Sequence, residues 1–177
     1  MEFADLITPD GPAVGIRVED APLMFDYFED AFAAAISSFQ AIEAFANQVI
    51  AQNSSGPMML DGHSAPLSPE QIERRVSTQE KVSTLIPKLL GVPSLKGRHE
   101  WQLFRTLKRV RDDAMHFKSG DQYPHSGKIK KDSLYDVLLN HDPCSFPLTA
   151  LRVIWHIRVK ESTDRWLNHL AEKHGIT

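Results

Sequence analysis

From Asp20-Ala-Pro22 onward, Phe25, Phe28, Phe32, Ala35 or Ile36, Phe39, Ile42, Ala46 and Val49 recur at steps of three and four. That rhythm is one buried stripe on a helix. Pro22 suits its first turn, and Asn53-Ser-Ser-Gly-Pro57 breaks it after about Gln52. Residues 53–67 read as a long Gly/Pro/Ser-rich loop. Ser68-Pro-Glu-Gln71 then has the residues of an N-cap with Pro at the first helical position and Gln at the third. The second helix runs to about Leu90, with a kink expected at Pro87. A third runs from about 98 to 117 on the stripe Leu103, Leu107, Val110, Ala114 and Phe117. A short helix is expected at 131–140. A last one covers about 147–173, with Leu151, Ile154, Trp155, Val159, Thr163, Trp166 and Leu170 inside. Two short apolar runs around Pro9-Asp-Gly-Pro12 predict a small hairpin within 5–18.

The pattern predicts an all-α fold, a compact bundle of four to five helices with a short N-terminal β-hairpin. One domain is expected over residues 1–177, with 1–20 as an N-terminal extension. The length of 177 residues suits a single core.

Composition changes this picture in two ways. The single cysteine, Cys144, leaves no disulfide framework within the chain. There is no membrane-length apolar run, and the N-terminus lacks a basic stretch followed by an apolar one. A cytoplasmic protein without membrane contact is expected. The net charge of −3 hides an asymmetry. Residues 1–50 hold nine acids and one base, whereas residues 96–131 hold ten bases and four acids. A local basic patch is a phosphate-binding feature. The competing reading has the two segments facing each other within the fold or across a dimer.

Catalytic patterns are few. His141, Asp142 and Cys144 have no metal-site spacing and no completing cluster. His99-Glu100 lacks the second histidine of a zinc protease. There is no nucleophile elbow and no Gly-rich phosphate loop. The three tryptophans lie at helical spacings and read as core or interface. No cofactor or metal is expected.

One segment remains, Arg109-Val-Arg-Asp-Asp-Ala-Met-His-Phe117, at the end of the third helix and inside the basic stretch. Arg105, Lys108 and Arg109 precede Arg111, and Lys118 follows His116. On a regular helix, five steps leave Arg111 and His116 roughly 140° apart, so they do not share a face. Asp112 and His116, four apart, are neighbours. The two key side chains meet only if the helix loosens near His116 or if two copies face each other. A plain helix end decorated with cations is the competing reading.

Arg111, Asp112 and His116 match, position by position, the motif of the HEPN superfamily: Arg, a polar residue, a short spacer, His. The segment therefore resembles that family. The likeness extends to the predicted topology, with the motif late in the third helix, and to the opening-helix run from Ala35 to Asn47. It covers most of residues 22–173.

The resemblance implies metal-independent RNA cleavage, with the residues Arg111 and His116 acting on the phosphodiester and Asp112 orienting one of them. Lys108, Arg109 and Lys118 would hold phosphate. Glu43 and Asn47 either support the site or are ordinary polar flank residues. RNA supplies its own nucleophile, the 2′-OH. A histidine takes or gives a proton, and an arginine stabilises charge on phosphoryl oxygens. The expected partners are RNA, a second copy of the chain, and an antitoxin or regulatory protein. The alternatives are a non-catalytic HEPN module that binds RNA, nucleotide or a partner protein, and an all-α interaction protein whose motif match is accidental.

Overall fold

In the computed structural model, residues 3–8, 11–16, 18–116, 134–158 and 165–176 are described. The first apolar stripe becomes α1 (Ala21–Asn53), 33 residues long, with Pro in its first turn. Phe28, Ala31, Ala35, Phe39, Ile42, Ala46 and Val49 are its buried face. Phe25 does not belong to that face and is 65% exposed. At 100° per residue it lies about 60° to the side of Phe28. Before α1, β1 (Phe3–Thr8) and β2 (Gly11–Ile16) pair antiparallel, Phe3 opposite Ile16 and Thr8 opposite Gly11.

The expected second helix is divided. In α2 (Pro69–Arg75), Ser68 and Gln71 form the capping box that the sequence indicates. Val76 and Ser77 are then extended, and Ser77 Oγ caps α3 (Thr78–Glu80) by accepting from the Glu80 amide at 3.2 Å. The signal for this restart is Ser77-Thr-Gln-Glu80, a second S-x-x-E pattern.

From α3 the rod passes through a π-helical turn, Lys81–Leu85, into α4 (Ile86–Leu90). Pro87 has no N–H to give the Ser83 carbonyl, which an α-helix would pair with it. The Ser94 hydroxyl donates to that carbonyl instead. The turn widens, and the Ile86 amide reaches back to the Lys81 carbonyl. Gly91, in the left-handed region at φ 65°, ends the rod.

The next helix, α5 (His99–Met115), lies within the expected bounds, but its inward face is Trp101, Phe104, Leu107, Val110 and Asp113. Leu103 and Ala114, expected inside, are only half-buried. The aromatic pair Trp101 and Phe104 takes the seam, with ring centroids 5.6 Å apart, and Phe104 stacks on Phe39 of α1 at 5.9 Å. Phe117, Lys118 and the residues that follow, through 130, lie outside the described residues. So do 131–133, and α6 covers Leu134–Leu139.

The long C-terminal helix is also divided. α7 (Ser145–Ile157) ends on extended Arg158, and α8 (Arg165–Lys173) follows. The buried positions are Phe146, Thr149, Ala150, Val153, Ile154 and Ile157, then Leu167 and Ala171. Trp155 is half-buried, while Trp166 and Leu170 are exposed. Val159 and Thr163 lie outside the described residues.

Three long-range hydrogen bonds, two from Tyr27 and one from His156, set the helix directions. Tyr27, near the start of α1, donates its hydroxyl to the carbonyls of Leu138 and His141 at 2.8 and 3.2 Å, just before α7 begins. Burial, aided by Asp142, raises the Tyr27 pKa above its ordinary value. At the other end of α7, His156 Nε2 donates to the Pro93 carbonyl at 2.8 Å, just before α5. So α5 runs against α7, and its C-terminus lies toward the end where α7 begins. Among the described residues no helix is long and apolar enough to cross a membrane.

Candidate functional site

The C-terminal half of α5 carries the Arg111–His116 segment. The helix stops at Met115, and His116 leaves helical geometry at φ −129°, ψ 66°. Its backbone amide still closes on the Asp112 carbonyl at 2.9 Å. The imidazole is exposed, and no hydrogen bond joins it to Arg111 or to the Asp112 side chain among the described residues. Loosening of the helix thus occurs where the chemistry would need it, but one chain does not bring the two side chains together.

Arg111 is held on two sides. Its guanidinium carbon lies 4.0 Å from the centre of the Phe39 ring on α1. Its Nη1 donates to Asp112 Oδ1 at 2.7 Å. A guanidinium over an aromatic face is a cation–π contact worth about 0.5–2 kcal/mol, depending on desolvation. Phe39 is itself clamped by Phe104, so Arg111 rests on a fixed core surface rather than waving in water.

Asp112 orients the arginine and not the histidine. Its second oxygen accepts from Lys108 Nζ, one helical turn earlier. Lys108, expected as a phosphate contact, is therefore engaged by a carboxylate in the isolated chain. Arg109 pairs with Asp113 at 3.6 Å, its side chain 47% exposed.

A feature missed at the sequence level runs beside this. Arg98, Arg105 and Arg109 are all exposed. At 100° per residue they fall within about 40° of one another, in a row that begins at the residue capping α5 and ends about two turns before His116. The signal was the seven- and four-residue spacing of the three arginines. No nearby carboxylate is paired with Arg98 or Arg105 among the described residues.

Glu43 and Asn47 belong elsewhere. Lys81, the first residue of the π turn, is fully buried. Its Nζ donates to Asn47 Oδ1 at 2.8 Å and to the Glu73 carbonyl at 2.9 Å. Glu43 accepts from the Thr78 hydroxyl at 3.0 Å. Burial pushes the Lys81 pKa below its ordinary value, opposed by the charges of Glu43 and Glu73. An open depression of about 550 Å³ lies alongside, lined by Gln40, Glu43, Ala44, Asn47, Glu73 and Arg74. The cluster fastens α1 to the α2–π rod and is not joined to Arg111 by any hydrogen bond among the described residues.

The His141 and Asp142 side chains are occupied with backbone, and Cys144 is a free, exposed thiol. His141 Nδ1 bonds the Val137 carbonyl at 2.9 Å, and Asp142 accepts from the Cys144 amide at 2.9 Å. Among the described residues no group of three potential ligands is placed to hold a metal ion.

Comparison of the chain with protein-family models, with curated proteins and with solved structures found no match.

Proposed function

We propose that the chain is a metal-independent endoribonuclease of HEPN type, built as a bundle of four to five helices and acting in the cytoplasm as a homodimer. The observation that supports this best is the exposed stripe Arg98, Arg105 and Arg109, which leads along α5 toward His116, with Arg111 seated on Phe39 beside it. A row of arginines spaced along a helix suits a phosphate backbone. A histidine beyond its end suits proton transfer at one phosphate.

In the proposed reaction the RNA 2′-oxygen attacks the adjacent phosphorus and gives its proton to a histidine. The bond from phosphorus to the 5′-oxygen breaks, and that oxygen takes a proton. The products are a 2′,3′-cyclic phosphate and a 5′-hydroxyl. Arg111 stabilises charge on the non-bridging oxygens. Two copies are required because Arg111 and His116 of one chain diverge. A two-fold pairing of the 111–116 segments supplies one histidine as base and the other as acid. The exposure of His116 suits a toxin or defence effector restrained by an antitoxin or regulatory protein that covers it.

The test is incubation of the purified protein with single-stranded RNA in EDTA. The expected result is cleavage leaving cyclic phosphate ends, reduced about 10²–10⁴-fold by His116→Ala and comparably by Arg111→Ala. Unchanged cleavage by His116→Ala overturns the mechanism. Binding without cleavage by the wild type makes a non-catalytic RNA-binding module the better reading, with a salt dependence that Arg98→Ala and Arg105→Ala flatten.

A further inference from the structure

Arg111 is the last member of a series of flat groups. The Trp101 and Phe104 rings of α5 stack with 22° between their planes, and Phe104 stacks on Phe39 of α1 with 23° between theirs. The Arg111 guanidinium lies over the Phe39 ring. All three rings are buried, and close packing leaves them little room to turn. Core packing explains the rings. It does not call for a cation at their end, where an apolar side chain would cover Phe39 at a lower desolvation cost.

The donors of Arg111 are divided. Nη1 is taken by Asp112 Oδ1, and neither Nε nor Nη2 has a partner among the described residues. Nε–H and one Nη2–H share an edge of the planar group, and such an edge can meet two oxygens of a phosphate at once. The side chain keeps 29% of its surface exposed. An arginine on an open helix surface gives up rotamer freedom when it meets a phosphate. Here folding has already settled the pose.

We infer that Phe39 is a positioning residue for the phosphodiester. Its ring fixes the plane of Arg111, Asp112 fixes the rotation within that plane, and the Nε–Nη2 edge is left for the two non-bridging oxygens. Donors set in place before the reaction stabilise developing charge without reorganising. The inference rests on the ribonuclease reading and deepens it, because it adds to the reaction a residue of α1 that touches no substrate.

The experiment measures cleavage of single-stranded RNA in EDTA and the motion of Arg111 in the same proteins. Phe39→Leu keeps an apolar side chain in the core and removes the ring. It should lower kcat about ten- to a hundredfold, as for a reacting group displaced by about 1 Å, and leave KM nearly unchanged. Arg111→Lys keeps the charge but has neither the plane nor the edge, and should fall as far. Phe39→Leu should cost little more in that background. Val49→Ala, a core change about three turns farther along α1, should leave kcat as it is. By nitrogen relaxation the Arg111 Nε–H should be rigid in the wild type, and in Phe39→Leu as mobile as that of exposed Arg105. A wild type that cuts no RNA sinks the ribonuclease reading and this inference with it. Cleavage that Phe39→Leu leaves at full kcat sinks this inference alone. So does an Arg111 that is mobile in the wild type or stays rigid without the ring, or an equal loss of kcat in Val49→Ala.

Discussion

Lys81 is a buried ammonium with two acceptors, the Asn47 amide oxygen and the Glu73 carbonyl, and among the described residues no carboxylate is in ion-pair contact with it. Replacing Asn47 by leucine leaves the charge in place and removes a partner. Leaving a buried charged donor short of an acceptor costs about 3 kcal/mol or more, above the range for a neutral group. Replacing Lys81 by methionine keeps the length and removes the charge. It orphans two acceptors, a loss of about 1–3 kcal/mol for each, but it also abolishes the desolvation penalty of the ammonium, which is several kcal/mol. The net cost of Lys81→Met should therefore be smaller, about 1–2 kcal/mol. The double variant has neither the charge nor its amide partner. It should lie about 1 kcal/mol below the wild type, far from the sum of the single changes.

Urea unfolding of the four proteins completes the cycle. The pH dependence gives a second reading of the same charge. Burial lowers the pKa of Lys81 in the fold, so the unfolded chain holds that proton more tightly. Between the lowered value and the ordinary 10.5, wild-type stability should rise with pH as the fold sheds a charge that it buries at a cost. The gap between wild type and Lys81→Met should widen across that window and stay flat below it. Additive costs in the cycle, together with a gap that does not move with pH, would refute this account of the cluster.

Two further outcomes test the core and a helix end. Phe39→Leu should cost about 2 kcal/mol in the same unfolding assay, of which about 0.5–1 comes from the guanidinium contact, so that Arg111→Ala costs less in that background than in the wild type. Gly91→Ala should cost about 1 kcal/mol from the left-handed backbone alone, since nothing lies within 4 Å of the added carbon, and Gly91→Asn should cost less.

Residue spacing was enough to read α1, because a stripe of apolar residues held over several turns admits one helical phase. It was enough for the capping box at Ser68, which is a local signal. It failed where two helices share a similar phase. Trp166 and Leu170 continue the stripe of α7 in sequence, but α8 turns Leu167 and Ala171 inward instead. The polar run Lys160-Glu-Ser-Thr-Asp164 was the cue that the stripe does not continue. Phe25 misled for a different reason: apolar character says what would gain from burial, not whether a neighbour is there to provide it. At the candidate site, the positions of Arg111, Asp112 and His116 on α5 were legible. The seat of Arg111 on Phe39 was not, because the two residues are distant in the chain and meet only through packing of α1 on α5. Lys81 was hidden by its charge, which ordinarily marks the outside of a helix.

The π turn explains how that lysine comes to be inside. Within 81–87, every residue except Thr84 is buried. No straight α-helix turns six of seven consecutive residues to one side. The wide turn acts as an inserted residue: the rod enters it in one phase, with Lys81 facing Asn47, and leaves it in another, with Ile86 in the apolar core. The two halves of the rod are offset by about 100°. Their shared inwardness depends on a count of residues between Ser77 and Pro87 rather than on which side chains they carry. In this stretch of the chain, length is itself a structural determinant, and shortening it by one would turn the lysine away from its acceptors while leaving every remaining side chain unaltered.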